Sequence, residues 1–194
     1  MTDDAAPSDA DLAARAAAGD QRAYAELVRR HKDGLFRLLR RFTGNADDAY
    51  EATQEAFIAA WSALRRYDPG RPFPAWLRTI AINKARDRGR RAAVRRRLFG
   101  TRAFEDSGAL TEPAPGQGAD ETLIERQDLL QLDQAIAQLP TGLRAALVLT
   151  AFDGLTQREA GEILGVSAKT VETRAYRARQ ILAARLDPQL RPAR

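Results

Sequence analysis

The sequence predicts an all-α protein made of two small helical domains joined by a flexible linker, with a helix-turn-helix in the C-terminal domain. Apolar residues recur at spacings of three and four over most of the chain, as they do on one face of an amphipathic helix. This periodicity stops in a Pro- and Gly-rich stretch that is typical of a linker. We therefore expect a first domain over residues 1–97, a linker over 98–122 and a second domain over 123–194.

The composition favours a polyanionic partner, because the net charge is +5 and the pI is about 10.0. The 194 residues include no Cys, which excludes disulfides and thiolate metal sites. No apolar run approaches the roughly 20 residues that span a membrane. The N-terminus also lacks the apolar region of a signal peptide. We therefore expect a cytoplasmic protein with no membrane insertion, no cofactor and no metal.

Three helices are predicted before the first long turn. Ser8 caps a short helix over 9–18, and Asp20 caps a longer one that ends at Phe42. The third helix, over 46–67, carries an acidic and polar side in its first half: Asp47, Asp48, Glu51, Gln54 and Glu55. Three interpretations of this side stay open at this point: complementation of the helix dipole, a metal-binding carboxylate pair, or a surface that docks another protein.

A strongly basic helix follows the turn-forming segment Tyr67–Pro72. It begins near Phe73 and then carries a long run of one charge sign: Lys84, Arg86, Arg88, Arg90, Arg91, Arg95, Arg96, Arg97 and Arg102. A solvated face is the simple explanation of a charge run, but this one is longer than solubility requires. Basic side chains beside aromatic ones suit a nucleic-acid backbone and unpaired bases. Trp61 and Trp76 fall on apolar stripes, and we expect both in the core.

Helical periodicity resumes at Leu123 and stops at Pro140, and another helix is predicted over 143–152. Residues 154–182 then form two helices around a tight turn. Thr156 caps the first with Glu159 three residues later, which is a capping box, and Gly165 ends it.

The second helix of this pair has the composition of a DNA-recognition helix. Ser167 is its predicted cap, and its core face is Val171, Ala175, Ala178 and Leu182. The opposite face is polar and basic: Lys169, Thr170, Thr173, Arg174 and Arg177. Such side chains meet base edges and phosphates in the major groove. A helical hairpin with a solvated basic face is the alternative, and we favour DNA binding.

Three segments, taken in order, resemble bacterial RNA polymerase sigma factors of the extracytoplasmic-function (group IV) type of the sigma-70 family. They are Ala46–Trp61, Phe73–Arg91 and Leu139–Leu182. One difference is that this chain has Ala49-Tyr50-Glu51-Ala52 where the family usually has Ala-Glu-Asp-Leu, so its acidic face carries one charge fewer.

The resemblance implies a non-enzymatic subunit that gives core RNA polymerase its promoter choice, in response to stress and under an anti-sigma factor. Its implied partners are core polymerase, through the clamp helices of the largest subunit and the beta flap, and promoter DNA. Core polymerase would contact Asp47, Asp48, Glu51, Gln54 and Glu55. The minus-ten element, with promoter melting, would involve Tyr67, Arg71, Asn83, Lys84, Arg88, Arg90 and Arg91. The minus-thirty-five element would involve Arg158, Ser167, Lys169, Thr170, Thr173, Arg174 and Arg177.

Two alternatives remain open on the sequence. A stand-alone helix-turn-helix regulator accounts equally well for residues 123–194, but it leaves the basic helix of the first domain unexplained. A nuclease that uses Asp47, Asp48 and Glu51 lacks a metal constellation. The single His31 lies on an apolar stripe, where a core or spectator role is expected.

Overall fold

The computed structural model describes residues 6–99 and 131–186, except for the side chains of 95–99. Within these ranges every regular element is helical, which confirms the predicted fold class. The first unit consists of α1 (Asp9–Ala17), α2 (Gln21–Thr43), α3 (Ala46–Ala63), a 3-10 turn (Leu64–Arg66) and α4 (Phe73–Phe99). The second unit consists of α5 (131–137), α6 (Thr141–Leu147), a π-helical turn (Val148–Phe152), α7 (Gln157–Leu164) and α8 (Ala168–Leu186). No helix in the described ranges is long and apolar enough to cross a membrane.

Local signals set the ends of the helices in the first unit. Ser8 forms a capping box at the start of α1, and the Asp20 carboxylate caps α2. Gly44 ends α2 in the left-handed conformation, with φ 77°, and Asn45 caps α3 directly afterwards. The predicted starts of these helices are confirmed. The third helix is shorter than predicted, because its last residues tighten into the 3-10 turn.

The core of the first unit lies between α2, α3 and α4, with Leu39, Phe42 and Leu77 almost fully buried. Trp76 is partly buried against this core, as expected. The expectation for Trp61 is wrong, because this residue is 38% exposed and its ring lies 4.7 Å from that of Tyr24. Trp61 therefore lies at the edge of the apolar stripe rather than inside it.

The second unit packs α6 and α7 against α8 around a core that includes Leu149, Ile163 and Val171. The capping box of Thr156 and Glu159 is present, and Gly165 ends α7 with φ 65°. The helix predicted over 143–152 begins at Thr141 and gives way to the π-helical turn after Leu147. The predicted linker from residue 100 onwards and the helix start at Leu123 lie outside the described residues.

Candidate nucleic-acid and protein interfaces

The angle between α7 and α8 depends on a close backbone approach at Gly161. A Cβ atom at this position would lie 2.7 Å from the Val166 carbonyl oxygen, so only glycine fits without a shift of the chain. The turn between the helices therefore folds back tightly over α7. Sequence reasoning missed Gly161. Its signal is a glycine inside a short helical pattern, where packing against neighbouring backbone is the usual reason for one.

Hydrogen bonds order the start of α8. The Thr170 backbone N–H donates to the Ser167 hydroxyl at 3.2 Å, and the two hydroxyl groups lie 2.9 Å apart. Ser167 thus caps the helix, as predicted. The Thr173 hydroxyl donates to the Lys169 carbonyl at 2.9 Å. The polar side chains at the tip of the helix therefore hold defined positions before any ligand binds.

The exposed face of α8 brings together Lys169, Thr173 and Arg177 from the predicted set. The Lys169 side chain is 80% exposed and forms an ion pair with Glu172 at 2.9 Å. Tyr176 lies on the same face and is 60% exposed, yet sequence reasoning missed it. Its signal is the spacing, since it lies three residues after Thr173 and seven after Lys169. A large exposed aromatic side chain beside these groups adds an apolar contact to the face.

Arg174 and Arg158 lie at the two edges of this face. The Arg174 guanidinium lies 3.7 Å from the position that a Cβ on Gly142 would take, so the side chain extends along α6. It is half-buried, whereas Arg158 is exposed on α7. The structure therefore does not place Arg174 at the centre of the exposed surface.

The acidic side of α3 is exposed over most of its length. The side chains of Asp48 and Glu51 are more than half exposed, and Asp47 and Gln54 are exposed as well. Ile58 is 67% exposed two turns after Glu51, and Tyr50 is 60% exposed at its border. An exposed apolar side chain with polar groups around it matches the apolar centre and polar rim of many protein interfaces.

Arg88 on α4 joins this acidic side to the basic helix. Its guanidinium lies 2.5 Å from Glu51 and 3.1 Å from both Asp48 and Glu55. The sequence assigned Arg88 and these acids to different surfaces, but the structure brings them together. Arg88 therefore holds three of the predicted docking acids in place, and any contact that it makes with DNA competes with these ion pairs.

The other predicted residues of the first unit lie along α4 and the turn before it. The Tyr67 hydroxyl donates to the Arg71 carbonyl at 2.6 Å, and the Tyr67 ring packs on Phe73 and Trp76. Burial raises the pKa of the Tyr67 phenol, so the group remains a neutral hydrogen-bonding hydroxyl.

Helical spacing divides the basic residues of α4 between two adjacent strips. Asn83 and Arg90 are exposed and lie two turns apart on one strip, where Arg90 pairs with Asp87. Lys84, Arg88 and Arg91 form the second strip, and of these Arg91 is the most exposed. The two strips give the second half of α4 a wide surface that is rich in basic side chains.

Several carboxylates of the described residues form ion pairs or helix caps. No group of three or more His, Asp or Glu in the described ranges could hold a metal ion. Arg88 already neutralises Asp48 and Glu51, which the nuclease interpretation requires as free ligands. His31 contacts Asp9 at 2.7 Å and packs against the Phe73 ring. Ion pairing therefore accounts for Asp48 and Glu51, and packing with a polar contact accounts for His31.

Comparison with known proteins identifies both units. Residues 27–95 match the family model Sigma-70 region 2, and residues 129–182 match Sigma-70, region 4. The chain is 42% identical over 186 residues to the RNA polymerase sigma factor CnrH of Cupriavidus metallidurans, covering 93% of this chain and 96% of that one. It is 32% identical to the ECF RNA polymerase sigma-E factor of Escherichia coli K12, covering 93% and 95%. The structure of CnrH in complex with the cytosolic domain of CnrY matches with a TM-score of 0.67 and 39% identity, covering 93% and 97%.

Proposed function

The chain belongs to the extracytoplasmic-function group of the sigma-70 family of RNA polymerase sigma factors, and from this premise we propose how its surfaces divide promoter-specific initiation. The first domain, residues 1–97, docks on core polymerase and engages the minus-ten element. The second domain, residues 123–194, engages the minus-thirty-five element and the beta flap. The segment 98–122 joins them. The single observation that carries this division is the pairing of an acidic docking face with a basic helix in one unit and an ordered helix-turn-helix in the other.

The second domain reads the upstream duplex with the exposed face of α8. Lys169, Thr173, Tyr176 and Arg177 project from this face, and Ser167 and Thr170 lie at the tip that enters the major groove. Arg158 on α7 contacts phosphate, because the first helix of such a pair crosses the backbone. Arg174 lies at the edge of the exposed face of α8, so we assign it a contact at the border of the minus-thirty-five element.

The first domain holds the melted region along α4. Arg90 and Arg91 contact phosphates, while Asn83 and Lys84 lie where an unpaired base would be held. The turn from Tyr67 to Arg71 completes this pocket, because an unstacked base offers its edge for hydrogen bonding and its face for stacking.

The acidic side of α3 docks on the clamp helices of the largest polymerase subunit. Asp47, Asp48, Glu51, Gln54 and Glu55 supply its polar contacts, and Ile58 supplies an apolar centre. Buried apolar centres with polar rims are the usual arrangement of a specific protein interface. Tyr50 stands where the family usually has an acidic residue, so an aromatic contact replaces one acidic contact at this position.

A regulatory protein holds this sigma factor inactive until a stress signal arrives. Support for such a partner comes from the related structure of CnrH, which contains the cytosolic domain of CnrY. An anti-sigma factor acts by covering the polymerase-docking and DNA-reading surfaces.

Run-off transcription with purified bacterial core polymerase tests the whole proposal. We expect new, defined start sites on promoter fragments from the genome that encodes this chain, but only when the chain is added. Failure to co-migrate with core polymerase, combined with binding to duplex DNA, would instead indicate a stand-alone helix-turn-helix regulator.

Substitutions on α3 test the docking face. Glu55→Lys should abolish binding to core polymerase, because it reverses a charge at the proposed interface. Glu55 also pairs with Arg88, so Gln54→Ala is a second variant that leaves every ion pair intact and should weaken binding. Asp33→Lys, on the exposed side of α2, is the matched charge-reversal control. Equal affinity of all four proteins for core polymerase would rule out this face.

A further inference from the structure

A single carboxylate stands on the otherwise basic helix α8. The helix has one acid, Glu172, among five basic residues: Lys169, Arg174, Arg177, Arg179 and Arg185. Affinity for a nucleic-acid backbone comes from basic side chains, and a carboxylate close to phosphates is repelled by them. Glu172 therefore lowers the general affinity of α8 for DNA, so affinity does not explain its place on this helix.

Glu172 begins the second turn of α8, close to the tip that the proposed function places in the major groove. The first turns of a recognition helix are the part that reaches base edges. Glu172 lies one turn after Lys169 and one turn before Tyr176, and both of these neighbours are exposed. Its own side chain is 47% exposed. The carboxylate therefore lies in the part of α8 that a bound duplex would contact.

Lys169 compensates part of the charge of this carboxylate. Its ammonium group donates to Glu172 Oε2 at 2.9 Å. An exposed ion pair of this kind adds little to stability, but it reduces the repulsion between the carboxylate and DNA. The ammonium group has three donors, and the carboxylate has two acceptor oxygens. Lys169 can therefore donate to a phosphate, and Glu172 can accept from a base, while the pair stays formed.

Space for a partner group lies beside the carboxylate. Glu172 borders an open recess of about 460 Å³ between α8 and the start of α7. Gln157, the first residue of α7, lines this recess together with Thr173 and Tyr176. The groups around Glu172 are thus mainly polar, and the carboxylate is accessible from the recess.

The chemistry of a carboxylate selects one base of the four. Its oxygens only accept hydrogen bonds. In the major groove cytosine presents the N4 amino donor, whereas guanine presents the acceptors N7 and O6 and thymine presents the acceptor O4. Adenine places the acceptor N7 beside its N6 donor. Because an acceptor on the base repels a carboxylate, cytosine is the base that suits Glu172 best.

We propose that Glu172 is a specificity-determining residue, which accepts a hydrogen bond from the N4 amino group of a cytosine in the upstream promoter element. The carboxylate disfavours the other three bases at the same position. The proposal rests on the proposed function, because it requires that α8 reads this element. It adds the base that one residue selects.

Transcription from a pool of promoter fragments tests the assignment. The upstream element of the fragments is randomised, each transcript carries a barcode, and sequencing of the transcripts made by the reconstituted holoenzyme gives the base preference at each position. With the parent protein we expect one position that favours a C·G pair in one orientation by about 5- to 150-fold, the range of a good base-edge contact. Glu172→Ala should remove this preference, retain the preferences at the other positions and raise transcription from disfavoured fragments.

Glu172→Gln provides a change of preference that a purely structural role does not predict. The amide keeps one acceptor and gains a donor, which matches N6 and N7 of adenine. We therefore expect the preference at this position to shift from cytosine towards adenine. Glu162→Gln makes the same change of charge on the exposed side of α7, away from the recess, and should leave every preference unchanged. Circular dichroism checks that each variant remains helical.

Two outcomes distinguish the failure of this assignment from the failure of the proposed function. A parent protein that prefers certain bases in the upstream element, with the same preferences in Glu172→Ala and Glu172→Gln, would overturn the role of Glu172 alone. A uniform rise of transcription from all fragments in both variants would do the same, because it indicates only a loss of repulsion. A holoenzyme with no base preference in this element would overturn the proposed role of the second domain, and the assignment with it.

Discussion

Arginine side chains have two kinds of surroundings in this protein, and their neighbours distinguish them. Arg88 lies among three carboxylates and Arg144 among backbone carbonyls, so both are committed to internal contacts. Arg91 and Arg177 are exposed and remain available for phosphate. Sequence alone treats all four as equal basic positions. Functional assignment of a single arginine therefore requires its contacts as well as its place on the helix.

Glu26 provides a pH-dependent prediction at the scale of a residue. Its ion pairs with Arg29 and Arg30 lower the pKa of the carboxyl from 4.5 to about 2. A pKa lowered in the folded state means that the stabilisation is complete above pH 4.5 and is lost as pH falls towards 2. We expect Glu26→Gln to melt below the parent protein at pH 7, with a difference that vanishes near pH 2. A difference independent of pH would contradict this.

Lys169 provides a prediction about salt. We assign its exposed side chain, at the tip of α8, to a backbone phosphate, and a single phosphate contact adds about 1 to the slope of log affinity against log salt. We expect Lys169→Ala to weaken binding to all upstream sequences alike and to reduce this slope by about 1. Arg65→Ala, exposed in the 3-10 turn, is the matched control and should change neither. An unchanged slope for Lys169→Ala would remove this phosphate contact.

At the scale of an element, the helix-turn-helix is defined by how closely two pieces of backbone approach. The cap at Thr156, the left-handed Gly165 and the cap at Ser167 set the helix ends. Gly161 sets the approach itself, because α7 lies directly against the chain that leads into α8. The orientation of the recognition face therefore depends on a residue that faces away from DNA.

Two glycine-to-alanine substitutions should have opposite effects on the free energy of unfolding. Gly161→Ala introduces a Cβ 2.7 Å from a backbone oxygen, and overpacking of this kind costs about 1–3 kcal/mol. Gly34→Ala, in the middle of α2, meets only the end of the Arg37 side chain at 4.0 Å. Replacing this helical glycine by alanine should raise the free energy of unfolding by about 0.5–1 kcal/mol. Urea unfolding measures both, and stabilisation by Gly161→Ala would contradict the close approach.

At the scale of the whole molecule, buried apolar residues form a core in each of the two units. Leu39 and Phe42 are buried in the first unit, while Leu149 and Val171 are buried in the second. A hydrogen bond from Arg144 to the Phe42 carbonyl connects the two units at the end of α2. We expect such a molecule to unfold as two cooperative blocks, because each core is built from the helices of its own unit.

Calorimetry tests this independence. We expect two unfolding transitions in the parent protein. Leu39→Ala should lower the midpoint temperature of only one transition, that of the first unit. The reason is that truncating a fully buried leucine costs about 2–5 kcal/mol within its own core. Gly161→Ala should lower the midpoint temperature of only the other transition, that of the second unit. A single transition that both substitutions shift equally would show that the two units fold as one.

The sequence by itself determined the elements and the family of this protein. Capping residues, glycine stops and apolar periodicity act over a few neighbouring positions, so they predicted the ends of α1, α2 and α7 and the core face of α8. The same local patterns carried the resemblance to sigma factors, which the comparisons confirm.

Only the tertiary structure decided which of these surfaces meet. Arg88 finds Glu55 across 33 residues of sequence, and Arg144 finds the Phe42 carbonyl across 102. The close approach at Gly161 and the partial burial of Arg174 likewise depend on how the helices cross. Side-chain type and local spacing do not specify such contacts, because they arise from the packing of whole helices against one another. The protein therefore has tertiary contacts that none of its motifs predicted.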